Sequence, residues 1–333
     1  MVAVAGLVAV LAGCGGAART TEGAVEPPRL ASVLALLPDE PELRRHLLVG
    51  DLERLRAAYT EPARLEWALD GVWLPDALGG ARSSLWRTTF GIDLADVTRF
   101  ASAGFHPAEV AVLEGSFKPT RVRSALSRYG YRERGGVLAR GEDGSIDPST
   151  EAGRLALGSL NRVVVSPSTI LGASTTALAR AAGSSSSRPG EHSDLAALTA
   201  ALGPVTSAIV LDVSFVRPPS GAPATIIPRH EARLLAAGID DGGPGRRTLR
   251  IALLYEDETN AADDTALIED RLAETELPGL PGTRFADVAH GWSVARSGRA
   301  VRITAMLPPA TGPWVWRDLV ERGDLAVLVR PAS

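Results

Sequence analysis

A chain of 333 residues, 45% of them hydrophobic, is long enough for one large or two medium domains around a substantial core. Its formal charge of −4 is close to neutral, and arginines are scattered among the acids with no basic stripe, which argues against nucleic-acid binding. Cys14 is the only cysteine, so no internal disulfide can form, and Lys118 is the only lysine, a bias typical of GC-rich coding sequence.

Val2 to Ala12 are all small or apolar. Such a run suits the h-region of a signal peptide and is too short to cross a bilayer, which takes about 20 apolar residues. It ends at Leu11-Ala12-Gly13-Cys14. This arrangement resembles the lipobox of bacterial lipoproteins, in which signal peptidase II cuts before the cysteine and its sulfur carries diacylglycerol. The resemblance implies a signal peptide over residues 1–13, a lipid with palmitate-type chains on Cys14, and an outward-facing position on the bacterial cell membrane. One departure stands out: no Lys or Arg precedes Arg19. Either the true start lies upstream, or the match is accidental and the segment is a buried element ending in a packed cysteine. Gly15 to Pro28 contains Gly, Ala, Thr, Glu and a Pro-Pro pair, so residues 14–29 read as a lipidated cysteine followed by a flexible tether.

An N-terminal half is expected over residues 30–183. Leu30 to Leu37 is apolar and stops at Pro38. His46 to Val49 reads as a short strand, and Asp51 as the cap of a helix presenting Leu52, Leu55 and Tyr59. Pro62 opens a second helix that buries Leu65, Trp67 and Leu69. Thr98 to Phe105 and Glu109 to Phe117 flank His106-Pro107 as an antiparallel hairpin. Pro119 starts a helix with Val122, Ala125, Leu126 and Tyr129 on one face, stopped by Gly130. Short strands are predicted from Tyr131 to Arg134, Val137 to Arg140, Leu155 to Gly158, Arg162 to Val165 and Thr169 to Leu171. A helix capped by Ser174 follows.

Residues 184–190 (SSSSRPG) form a Ser-rich linker. The C-terminal half, residues 191–333, is expected to contain a helix to Leu202, a strand from Val205 to Phe215, a short helix from His230 to Ala237 and a strand from Arg247 to Glu256. Thr259 or Asn260 then caps a helix reaching Glu276. Phe285 to Arg296 and Ala300 to Leu307 make a hairpin turning at Ser297-Gly298-Arg299. A helix with Trp314 and Trp316 and a strand from Leu325 to Val329 close the chain. Each half runs from a strand pair into an amphipathic helix, an antiparallel set and another helix. The fold class is therefore α+β, two similar antiparallel-sheet-plus-helix halves in the order of an internal duplication, with too little identity between them to count as a repeat.

A serine hydrolase needs a nucleophile on a sharp turn, a base and an orienting acid. Gly291-Trp292-Ser293-Val294-Ala295 lacks the second glycine of a nucleophile elbow and puts Ser293 inside a strand. Ser174 is most simply a helix cap. His46, His106, His192, His230 and His290 stand singly, and His230-Glu231 has no second histidine at metal-binding spacing. Glu256, Asp257, Glu258, Asp263 and Asp264 lack the spacing of a calcium loop and suit a helix N-terminus. Gly242-Gly243-Pro244-Gly245 has no following Lys-Ser/Thr and reads as a turn. The expectation is no catalytic residue, no metal site and no cofactor, with Cys14 as the lipid attachment.

The body resembles exported lipoproteins of GC-rich bacteria in pattern, without a diagnostic motif. The resulting expectation is a non-catalytic, membrane-anchored envelope lipoprotein that binds or scaffolds an envelope protein or a small apolar ligand, and no nucleic acid. Two alternatives stay open. One is a solute- or lipid-binding lipoprotein with a cleft between the halves, lined by Trp67, Trp73 or Trp86 unless these pack the helices together. The other is an envelope hydrolase with a site assembled from distant residues.

Overall fold

The computed structural model describes residues 33–35, 37–78, 84–184, 189–217 and 227–330. Cys14 and its expected tether, and residues 185–188 of the expected linker, lie outside the described residues. The first half contains strands β1 (His46–Asp51), β2 (Val97–Phe105), β3 (Ala108–Gly115), β4 (Arg132–Arg134), β5 (Val137–Ala139), β6 (Arg162–Val165) and β7 (Thr169–Ala173). The second contains β8 (Ser207–Asp212), β9 (Leu234–Asp241), β10 (Arg247–Leu254), β11 (Glu276–Leu277), β12 (Leu280–Arg284), β13 (His290–Ser297) and β14 (Ala300–Met306). Helices α1 (Leu52–Ala58), α2 (Pro62–Leu69), α3 (Ser84–Phe90), α4 (Pro119–Arg128), α5 (Glu151–Ala156) and α6 (Thr176–Ser184) belong to the first half. The others are α7 (Ser193–Leu202), α8 (Glu258–Arg271), α9 (Phe285–Val288) and α10 (Val315–Glu321). All strands except β11 and β12 join one antiparallel sheet in the order β13-β14-β10-β9-β8-β1-β2-β3-β7-β6-β5-β4. The protein is α+β.

The order β1-β2-β3-β7-β6 recurs as β8-β9-β10-β14-β13. At the seam β1 and β8 pair antiparallel, with Leu48 opposite Ile209 and Val49 opposite Ala208. The two strands therefore correspond residue for residue about a two-fold axis at Leu48 and Ile209. Each ends in an aspartate that caps the next helical turn: Asp51 accepts from the N–H of Arg54 (2.8 Å) and Asp212 from that of Ser214 (2.9 Å).

Period-two alternation sends side chains to both faces. One face carries Phe100, Leu113 and Ile170 within the first half's helical cover, and Leu235, Ile251 and Ile303 within that of the second. The opposite face is continuous across the seam, from Val110 through Val49 and Val210 to Leu254, and buries residues of α6 and α7. Ala208, Ala236 and Ala252 on this face let α7 lie close to the strands.

The β2–β3 hairpin and α4 form where the sequence predicts them; the β13–β14 hairpin does too, except that Phe285–Val288, expected in its first strand, is the helix α9. The segment from His230 to Ala237 is not a helix. Leu234 to Ala237, helix-favouring in isolation, are held in β9 by ladders to β8 and β10. Leu155 to Gly158 is not a strand, because Thr150 accepts from the N–H of Gly153 (3.2 Å) and starts α5. Leu325 to Val329 is replaced by a 3-10 turn over Asp324–Leu328. Asp257 caps α8, accepting from the N–H of Asn260 (2.8 Å), in place of Thr259 or Asn260. No helix among the described residues is long and apolar enough to cross a membrane.

Candidate functional site

One end of the seam holds a cavity of about 580 Å³. Arg44 and Arg45 precede β1, Asp212 ends β8, Glu231 and Arg233 lead into β9, and Glu256 follows β10; His192 and Asp194 open α7. β1, β8, β9 and β10 are sheet neighbours, so strand pairing alone gathers these segments.

The lining sets four arginines (Arg44, Arg45, Arg233, Arg330) against four carboxylates (Asp194, Asp212, Glu231, Glu256). Asp194 is the hub: Arg299 donates to one oxygen and Arg233 lies 3.3 Å from the other. Burial pushes its carboxyl up, but the Arg299 hydrogen bond and the Arg299 and Arg233 charges outweigh it, so it ionises below the usual carboxylate range. Arg233 also reaches Glu256 at 3.3 Å, and Arg330 pairs with Glu231 at 3.2 Å. Arg45 donates to Ser214 Oγ (3.2 Å) and lies 4.9 Å from the Phe215 ring centroid. Fixed donors and acceptors in one space complement a ligand that carries both signs of charge.

Trp67, Trp73 and Trp86 do not line this cavity. Trp86 is fully buried in the first half. The other two join the halves: Trp73 packs 5.9 Å from Trp316, and Trp67 lies beneath the Arg247 guanidinium (4.8 Å). Of the histidines, His192 lines the cavity. His46 stacks on Phe105 (4.0 Å), and burial pulls its imidazole down to about 4, partly offset by a hydrogen bond to the Gly104 carbonyl. His230 lies 3.4 Å from Asp263, His106 sits in the β2–β3 turn, and His290 opens β13.

Ser293 hydrogen-bonds Thr304 across the β13–β14 pair. Ser174 donates to the Pro107 carbonyl (2.7 Å) and accepts from the N–H of Glu109 (3.0 Å), fastening the hairpin turn. Thr175 caps the following helix in its place, accepting from the N–H of Leu178 (3.2 Å). The acidic stretch disperses: Asp264 accepts from the N–H groups of Arg229 and His230, and Glu258 faces Arg296. Among the described residues no three His, Cys, Asp or Glu side chains gather closely enough to hold a metal ion. Sequence reasoning missed Asp194, Arg233, Glu231 and Arg330, which share no spacing and meet only through the sheet order.

No protein-family model matches the chain, and no curated protein matches it. One solved structure, titled "Structure of crystal form I of TP0453", aligns with 91% of this chain and 100% of its own at 9% identity and a TM-score of 0.43. That likeness is too low to carry an argument about fold or function.

Proposed function

We propose that this protein is a non-catalytic binding lipoprotein of the bacterial envelope, held on the cell membrane by a lipid on Cys14, whose body takes a small dipolar solute into the seam cavity. The observation that supports binding is the charge-balanced lining, built from segments of both halves. Its volume of about 580 Å³ falls in the ordinary range of small-molecule sites. The serines weighed as nucleophiles are both engaged in structural hydrogen bonds. The address rests on Leu11-Ala12-Gly13-Cys14; acyl chains on that sulfur hold a protein firmly to a bilayer.

Full-length protein in detergent is screened by thermal shift against amino acids and dipeptides, with polyamines and dicarboxylates as single-sign controls. Dipolar solutes should raise the melting temperature saturably and the controls should not, and Arg45→Gln should weaken the effect about tenfold. A response to apolar solutes alone, or none, overturns the binding reading. In the same cells a clickable fatty acid should label the wild type and not Cys14→Ala; equal labelling would sink the address.

A further inference from the structure

A second cavity, of about 370 Å³, lies where β4 and β5 run out beside α6. It is lined by Arg132, Arg134, Arg162 and Arg180, and by no carboxylate. The ladder sets their places. Arg132 pairs with Ala139, and Ala139 with Arg162, so two arginines stand on one sheet face two strands, about 10 Å, apart with only a methyl group between them. Arg134 shares that face by the two-residue period, opposite Val137. Glu133 takes the other face, 3.5 Å from Arg123. Arg180 lies one turn along α6 from Thr176.

The four guanidinium groups have different duties. Arg162 is buried and fully engaged: it donates to Thr176 Oγ1 (2.8 Å) and to the carbonyls of Arg140, Asn161 and Gly141, and pairs with Asp143 at 2.7 Å. Asp143 also accepts from the N–H of Thr176, so the N-terminus of α6 is already occupied. Arg132 and Arg134 are exposed and form no ion pair among the described residues. In a chain of net charge −4, Arg132 and Arg134 place two positive charges side by side that no ion pair among the described residues takes up.

We propose that this cavity binds a phosphoester, its phosphate gripped by the Arg132 and Arg134 forks and its organic part resting on Val137 and Ala139. Planar guanidinium groups match phosphate oxygens two at a time, and a cavity of this volume holds more than a bare phosphate. The ligand is either a free phosphorylated molecule or a phospholipid head group.

Full-length protein is titrated with glycerol 3-phosphate by calorimetry and floated with vesicles of phosphatidylglycerol or phosphatidylcholine. A lipid on Cys14 would enter both vesicles alike, so an excess on phosphatidylglycerol reads the arginines. Binding is expected in at least one arm, weakened at least about tenfold in Arg132→Gln/Arg134→Gln. Arg246→Gln, exposed on the β9–β10 turn, should leave it unchanged. Binding in solution alone identifies a free phosphoester, and binding to vesicles alone a head group. Arg180→Gln, on the helix, gives an independent reading if the edge-strand variant misfolds. No binding in either arm, or binding that both variants leave intact, overturns the proposal. Either result is independent of the seam cavity.

Discussion

The two ends of the seam are related by one two-fold axis, yet one is open and the other closed. Past β8 the described residues make a 3-10 turn, Val213–Phe215, and the space beside β9 and β10 holds the charged cavity. Past β1 it continues into α1 and α2, and the matching space beside β2 is filled by Arg56, which donates to the carbonyls of Leu94 (2.7 Å) and Val97 (2.6 Å). The hairpin turns follow suit. At the closed end Tyr59 donates to Asp241 (2.7 Å) and Arg54 pairs with Asp240 (2.5 Å). At the open end Phe105 meets Phe215 at 5.0 Å, both half exposed. Among the described residues, the repeated strand order thus keeps a cavity at one end of the seam and packs α1, α2 and Arg56 at the other.

The outer edges differ for a reason written in their turns. Gly135 and Gly136, at φ 58° and 80°, close β4 onto β5 tightly enough for the pair to extend the sheet from β6. The corresponding hairpin of the second half carries Pro278 and Pro281, which have no N–H for a ladder. Gly279 instead donates to Asp324 Oδ1 (2.6 Å), and β11–β12 docks away from the sheet. The arginine-lined corner of the first half is built on this extension of the sheet.

The largest effect should come from breaking the clamp between the halves. Trp316, fully buried on α10, donates through Nε1 to the Gly71 carbonyl (2.8 Å) and packs on Trp73. Trp316→Ala should cost about 3–5 kcal/mol in urea unfolding. Trp316→Phe, which keeps most of the packing and loses the hydrogen bond, should cost about 1 kcal/mol. An alanine variant within 1 kcal/mol of wild type would mean that strand pairing alone holds the seam.

Legibility divides along the same lines. Local signals were readable: Pro119 and Gly130 bracket α4, His106-Pro107 marks the hairpin turn, and Asp51 marks a cap. The repeated order of elements was readable too. Whether the halves share a sheet was not, because nothing in His46–Asp51 names Ser207–Asp212 as its partner. β9 was misread because Leu-Leu-Ala-Ala favours a helix until two flanking ladders claim it. The cavity was invisible for the same reason: its lining spans Pro41 to Arg330, and only the strand order brings it together.

A smaller effect sharpens the correspondence inside the sheet. On one face Gly50 pairs with Phe100 where the second half pairs Leu211 with Leu235. The two pairs fill the same layer by different divisions of volume. A Cβ at Gly50 would sit 2.3 Å from the Phe100 ring, so Gly50→Ala should cost about 1–3 kcal/mol. Gly50→Leu with Phe100→Leu copies the other half's pair and should be more stable than Gly50→Leu alone. Additive losses in that double variant would refute the correspondence.

The subtlest difference is a carboxyl. Leu113 lies opposite Phe100 as Leu253 lies opposite Leu235, which makes Glu109 the counterpart of Leu249, both buried. Burial, with the charge of Asp76 second, pushes the Glu109 carboxyl from 4.5 up to about 8. The unfolded chain ionises near 4.5 and the folded one near 8, so between these values the folded state keeps a proton that the unfolded state has released. Stability from this group is therefore intact at low pH, falls as pH rises from 4.5 to about 8, and is level beyond. Glu109→Gln, which keeps the shape and cannot ionise, should match wild type near pH 4.5 and exceed it by at least about 1 kcal/mol at pH 8.5, since a tenfold change in ionisation is about 1.4 kcal/mol. Melting curves of both proteins across that range check it. A constant difference between them would mean that Glu109 ionises as it does in water, and that the first half is not packed at this position as the second is.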